Sequence, residues 1–195
     1  MKRKSLCIYC GSNPGRQPVY EQAARELGTH MARRGIELVY GGASVGIMGV
    51  IADAVLQAGG RVTGVIPESL VRKELAHQGL TALHVTGSMH ERKRMMADLS
   101  DGFVALPGGA GTLEELFEIW TWAQLGHHDK PCAVYNVAGY YDLLARFLDH
   151  TVAEQFVKPE HRQMLVVEHE PQALLERLEA YEAPRVTKWI GRGQT

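Results

Sequence analysis

The sequence predicts an α/β protein: a Rossmann-like, doubly wound, mostly parallel sheet with helices on both faces, three layers in all. Three observations predict it. Short β-branched runs alternate with longer segments of helical period on links of a few residues, the pattern of βαβ units. Runs such as Phe103-Val104-Ala105-Leu106 are apolar at consecutive positions, as a strand covered on both faces should be. Three of the strands also run straight into glycine-bearing turns.

In chain order the β-branched runs place strands at 6–9, 37–40, 62–66, 83–85, 103–106, 132–135 and 165–167. The segments between them place helices at 18–34, 48–58, 89–99, 113–125, 140–154 and 171–181. Ser88 with Glu91 forms a capping box that fixes the start of the third helix, and Thr112 with Glu115 spells another ahead of the fourth. The fourth helix is apolar on more than one face. Leu113, Leu116, Phe117, Trp120 and Ala123 make one stripe, and Ile119 and Trp122 add a second. That surplus suits contact with a second subunit.

The 195 residues are 45% hydrophobic and 22% charged, enough for a core without staples. A single Rossmann-like domain is expected over 1–182. The tail over 183–195, with Pro184, two glycines and several basic residues, is expected to be loose or docked on a partner. Lys+Arg 21 against Asp+Glu 22 leaves a net charge of -1, with no global pull towards nucleic acid or anionic membrane. No apolar run approaches the ~20 residues of a membrane span, and the stretch after Met1-Lys2-Arg3-Lys4 is too short for a signal peptide. Three cysteines cannot close a disulfide framework, so a cytoplasmic setting is expected. Cys7 and Cys10 spell C-x-x-C, but three residues apart along a strand their thiols face opposite sides. Cys132 reads as core. The histidines lack metal-ligand spacing, so no metal is expected, and His127-His128 reads as an exposed pair.

Open α/β sheets bind ligands beyond the carboxyl ends of their strands. There the sequence puts Cys10-Gly11-Ser12-Asn13-Pro14-Gly15 after the first strand. Gly41-Gly42-Ala43-Ser44-Val45-Gly46 follows the second, and Pro107-Gly108-Gly109-Ala110-Gly111-Thr112 the fifth. Glycine lets the main chain approach a ligand closely, and helix N-termini offer free N–H groups. Three such turns on one rim predict an anion site, most simply for a phosphate. Glu115 stands directly after the third turn, where a carboxylate is best explained by positive charge developing nearby during a reaction. In the third helix, stepping by three and four from Met89 reaches Arg92, Lys93, Met96 and Leu99. Two cations therefore enter the apolar stripe in the first turn, suited to a phosphorylated ligand. Arg supplies a bidentate fork and Lys a point charge.

The pairing of Met89-His90-Glu91-Arg92-Lys93 with Pro107-Gly108-Gly109-Ala110-Gly111-Thr112-Leu113-Glu114-Glu115 resembles the LONELY GUY family. Its members are cytokinin riboside 5′-monophosphate phosphoribohydrolases, related to AMP nucleosidases and long labelled lysine decarboxylases. The resemblance covers nearly the whole chain, including Gly11-Ser12 and Gly41-Gly42 before Gly46, Met48 and Gly49. It implies hydrolysis of the N-glycosidic bond of an N6-modified or plain adenosine 5′-monophosphate, giving free base and ribose 5-phosphate. It also implies Arg92 and Glu115 as catalytic residues. Nucleotide contacts are implied from Glu74, Lys93, Gly108, Gly109, Gly111, Thr112 and Thr121, with Ser12, Gly42, Ser44 and Gly46 around them. It further implies a homodimer with sites near the subunit interface, and no cofactor. The lysine decarboxylase label finds no cofactor-bearing lysine with a pyridinium partner.

Two other classes fit parts of the sequence. Gly42-Ala43-Ser44-Val45-Gly46 matches G-x-S-x-G between a strand and a helix, the setting of a serine esterase, with His128-Asp129 and His169 as candidate partners. The glycine turns alone also allow a non-catalytic nucleotide-binding module. A dinucleotide dehydrogenase is disfavoured because G-x-G-x-x-G is incomplete.

Overall fold

The computed structural model describes residues 4–71 and 76–184. Seven strands pair in parallel into one sheet: β1 (Ser5–Tyr9), β2 (Glu37–Tyr40), β3 (Val62–Pro67), β4 (Ala82–Thr86), β5 (Phe103–Ala105), β6 (Cys132–Tyr135) and β7 (Leu165–Glu168). Their order is β4-β3-β2-β1-β5-β6-β7, so the chain winds outward from β1 one way and then restarts from β5 in the other. The register sets Cys7 beside Val39 on one side and Phe103 on the other.

The helices are α1 (Val19–Arg33), α2 (Gly46–Gln57), α3 (Glu68–Val71), α4 (Met89–Asp98), α5 (Ala110–Gln124), α6 (Asp142–Ala153), α7 (Pro159–Gln163) and α8 (Pro171–Glu179). Alternating strand residues feed two cores. Leu6, Ile8, Leu38, Val104 and Ala133 pack under α1, α2 and α8. Cys7, Tyr9, Val39, Phe103 and Val134 pack under α4, α5 and α6. Three layers result, as predicted. Cys10 and Cys7 fall in opposite cores, so the C-x-x-C pair is split by the sheet.

Three boundaries differ from the sequence reading in ways that matter. α2 starts at Gly46, and α5 starts at Ala110 with Gly109 as its N-cap. The helix expected from 140 starts at Asp142, behind a 3-10 turn at Val137–Gly139. Leu116, Ile119, Trp120 and Ala123 of α5 are buried in the chain's own core, which absorbs much of the apolar surplus read from that helix. At the tail, Ala183 and Pro184 are half-buried and line a cavity with Met164 and Tyr181. Residues 185–195 lie outside the described residues. Among the described residues, no helix is long and apolar enough to cross a membrane.

Candidate active site

The winding reverses between β1 and β5, and the two turns that leave these strands face each other across that crevice. The main chain ties them together. Gly11 N–H donates to Pro107 O at 3.1 Å, and Ile47 N–H donates to Gly11 O at 3.1 Å. This closeness is what glycine supplies. A Cβ on Gly108 would collide with the Thr112 side chain and come within 2.9 Å of the Gly11 nitrogen. Gly46, at φ +56, presses against the main chain of Ser12. Gly109 and Gly111 are different: a Cβ on either would meet nothing within 4 Å. The chain's own packing asks for no glycine there, and both border a cavity of about 410 Å³.

Ser12, Met48, Leu70, Met89, Arg92 and Glu115 line that cavity together with the first turn of α5. The first intrahelical bond of α5 from its N-cap is Leu113 N–H to Gly109 O at 3.2 Å, so the preceding amides head the helix and its positive dipole end. The expected Thr112–Glu115 capping box is not formed, because α5 begins two residues before Thr112. Thr112 is instead buried against Gly108, and Glu115 is carried into the second turn beside the cavity.

The other capping box is present in a shifted form. Ser88 Oγ accepts Glu91 N–H at 3.1 Å, while the Glu91 carboxylate reaches Gly87 N–H at 2.9 Å. This start aims Arg92 across the end of β3, where its Nε donates to Val65 O at 3.1 Å. Its Nη1 lies 3.2 Å from Glu115 Oε1, and each side chain keeps 12% of its surface exposed. A residue of the β3–α4 half and one of the β5–α5 half thereby meet at the rim. Burial pushes the Glu115 carboxyl above the usual carboxylate range, against the pull of the Arg92 guanidinium. Gly41 backs this pair: a Cβ there would collide with Arg92 Nη2.

The structure thus gathers Ser12, Arg92, Gly109, Gly111, Thr112 and Glu115 on one cavity, with Gly108 as its packed hinge. Other predicted residues stand elsewhere. Lys93 Nζ is held 2.7 Å from Glu114 Oε1 and 2.9 Å from Glu118 Oε1, on the flank between α4 and α5. Burial works against its ammonium, but the two carboxylates outweigh that and raise its pKa. Thr121 is exposed on α5, about 9 Å along the helix from Glu115 at the usual rise. Gly42, at φ +76, packs against Ile66 and Leu83, and its carbonyl accepts His77 N–H at 2.9 Å. Ser44 is exposed just ahead of α2 and does not line this cavity, nor does Gly46. Glu74 lies outside the described residues.

The histidines proposed as esterase partners are committed to the main chain. His128 Nε2 sits 2.9 Å from Ile119 O and its Nδ1 accepts Lys130 N–H at 3.1 Å. His169 Nδ1 lies 3.2 Å from Asn136 O. The expected exposure of His127-His128 holds for His127 alone. His128 is half-buried, 5.3 Å from the Phe103 ring, and burial lowers its pKa. Sequence reasoning missed Met48 and Leu70 as lining residues, and also Tyr140, whose hydroxyl donates to Gly108 O at 2.7 Å. The available signal was the aromatic pair Tyr140-Tyr141 on the turn after β6, on the same rim.

Fold and rim define a Rossmann-type α/β protein with a cavity where the sheet changes direction. A family model described as "Possible lysine decarboxylase" matches residues 48–178. Cytokinin riboside 5′-monophosphate phosphoribohydrolase LOG1 of Arabidopsis thaliana is 47% identical over 187 residues, 96% of this chain and 87% of that protein. The rice protein named "Probable cytokinin riboside 5′-monophosphate phosphoribohydrolase LOGL6" (Oryza sativa subsp. japonica) is 47% identical over 98% of this chain and 76% of its own length. The chain belongs to this LONELY GUY family. Among solved structures, the molybdenum cofactor carrier protein of Chlamydomonas reinhardtii matches with a TM-score of 0.68 at 22% identity, covering 92% of this chain and 99% of that one. That likeness shows a shared fold.

Proposed function

We propose that this protein hydrolyses the N-glycosidic bond of adenine-type nucleoside 5′-monophosphates, including N6-modified ones, to free base and ribose 5-phosphate. One observation carries the reading: a partly buried Arg92–Glu115 pair, 3.2 Å apart, opens onto a glycine-lined helix N-terminus. The amides at the head of α5 bind the phosphate, with Gly109 and Gly111 leaving room for it. Binding energy from the phosphate then positions the sugar. As the C1′–nitrogen bond breaks, its electron pair leaves with the base and positive charge spreads over the ribose ring, as in other glycosyl transfers. Glu115 faces that charge and orients the attacking water or takes its proton as the new C1′–oxygen bond forms, and that proton ends on the base nitrogen that received the electron pair. Arg92 holds the Glu115 carboxylate and favours the departing base. The reading needs neither metal nor cofactor.

Incubation with AMP should release adenine and ribose 5-phosphate. Glu115→Gln should lower turnover by at least ~10²-fold, the scale of one acid–base group. Near-normal release by that variant would refute the assignment. Arg92→Ala should lose turnover with the fold intact. A panel of nucleoside monophosphates, nucleosides and triphosphates, read by released base, defines the preferred base.

A homodimer with sites near the subunit interface completes the proposal. The resemblance gives Lys93 and Thr121 nucleotide contacts, yet neither lines this chain's own cavity, and a partner's cavity would supply them. Sedimentation showing only monomer at micromolar concentration would contradict it. The three buried, free cysteines suit the reducing cytoplasm proposed as its location.

A further inference from the structure

Three consecutive carbonyls at the exit of β5 are each held by one donor. Leu106 O accepts Tyr141 Oη at 2.7 Å, Pro107 O accepts Gly11 N–H at 3.1 Å, and Gly108 O accepts Tyr140 Oη at 2.7 Å. Two neighbouring tyrosines thus grip alternate peptides of the glycine-rich loop from outside its own segment. The turn that delivers them is itself unusual. Ala138, at φ 50 and ψ 32, is one of two non-glycine residues in the left-handed region among the described residues, and Gly139 follows at φ 72. Such a conformation is strained in a residue with a Cβ, so the surrounding contacts must hold it. Asn136 does so: its Oδ1 accepts Tyr141 N–H at 2.7 Å, and its Nδ2 donates to Asp142 Oδ1 at 2.7 Å.

The two tyrosines differ in what burial explains. Tyr141 is buried, and its hydroxyl needs a partner there. Tyr140 is 44% exposed, so water could satisfy its hydroxyl. Its ring is steadied edge-on by Tyr141 at 5.0 Å and Tyr20 at 5.7 Å, and Tyr20 in turn packs on Gly15. Together with the turns after β1 and β5, Tyr20 and Tyr140 line a second cavity of about 220 Å³. Gly109 borders both this cavity and the one holding Arg92 and Glu115. In a trans peptide the N–H of residue 109 points opposite to the carbonyl of residue 108. Fixing Gly108 O on the Tyr140 side therefore turns Gly109 N–H away from it.

Resting on the reading of this loop as a phosphate cradle, we propose that Tyr140 is a positioning residue: its hydroxyl sets the Gly108–Gly109 peptide so that the Gly109 N–H is aimed at the substrate's phosphate before the substrate arrives. Donors fixed in advance need no reorganisation on binding. Loss of the hydroxyl therefore weakens the grip on the phosphate in ground state and transition state alike. That signature is a raised KM with kcat little changed.

Tyr140→Phe keeps the ring and removes only the hydroxyl. It should raise KM for AMP about 10-fold, leave kcat within about 3-fold and leave the thermal midpoint nearly unchanged. Calorimetric binding of ribose 5-phosphate should weaken by the same factor of about 10, a readout that a role in stability alone would not move. Tyr141→Phe is the contrast, lowering the midpoint because it strips a buried hydroxyl bond. Ribose 5-phosphate binding that Tyr140→Phe leaves unchanged would overturn the positioning role and spare the proposed hydrolysis. Absence of ribose 5-phosphate binding by the unaltered protein would overturn the cradle, and the role of Tyr140 with it.

Discussion

Replacing Gly41 by alanine should damage catalysis without damaging the fold. The added methyl arrives where Arg92 Nη2 now lies, with Met48 Sδ 3.4 Å and Arg92 Cζ 3.5 Å from it. Arg92 is pinned on its other sides by Val65 O at 3.1 Å and Glu115 at 3.2 Å, so its guanidinium cannot yield without loosening one of them. Gly41 is not among the positive-φ glycines, so alanine brings no backbone strain, and the clash is with the far end of a flexible side chain. Where the backbone is compatible, Gly→Ala adds about 0.4–1 kcal/mol of stability through the unfolded chain. A displacement of about 1 Å in a catalytic group costs about 10²-fold in rate. The expected result is therefore a kcat/KM for adenine release from AMP lowered about 10²-fold, with a thermal midpoint unchanged or slightly raised. Full activity would show that the position of the Arg92 guanidinium does not matter to the reaction. A collapsed midpoint would show that Gly41 is demanded by packing rather than by the site.

Glu115 works ionised in the proposed mechanism and holds its proton above the usual carboxylate range, chiefly through burial, so activity should fall as pH drops through that raised value. Its effect on stability has the opposite sign: the contribution is full below the unfolded pKa and is lost as pH rises through the folded one, because the folded carboxyl binds its proton more tightly. An acid limb of kcat/KM at or below the ordinary carboxylate value of about 4.3 would contradict this. Gly46→Ala puts a Cβ into the main chain of Ser12 at φ +56 and should cost about 2 kcal/mol or more in urea unfolding; an unchanged midpoint would refute the close approach. Burial pushes the thiols of Cys7, Cys10 and Cys132 far above their ordinary range. A thiol reagent should find none of the three in the native protein and all of them after denaturation, and fast labelling of any one would contradict their placement.

The sheet was legible because each strand is a compact β-branched run, and a residue such as Val104 or Ala133 has apolar neighbours whichever face it takes. Arg92 and Glu115 were legible because each breaks a local rule, one as a cation inside an apolar stripe and the other as a carboxylate beside an anion loop. What escaped depends on distance along the chain or on conformation. The partners of Lys93 lie 21 and 25 residues away on another helix, and no pattern within α4 announces them. The start of α5 was misplaced because Gly109-Ala110-Gly111 reads as loop, although glycine is tolerated at a helix N-terminus whose amides are left for a ligand. α3 and α7, of 4 and 5 residues, are too short to display a period. The reach of Tyr140 to Gly108 depends on a left-handed alanine, which no turn preference flags.

In the proposed site, the ion pair at the rim also bears on how a substrate is captured. Arg92 is matched by Glu115, and Lys93 nearby is matched by Glu114 and Glu118, so these two cations bring no net positive charge of their own to the rim. The proposed cradle instead attracts through amide dipoles, which act only once the ligand is within contact range and which dissolved ions screen little. On the proposed reading, selection therefore happens after arrival, in the fit between a fixed row of N–H groups and the oxygens set against them.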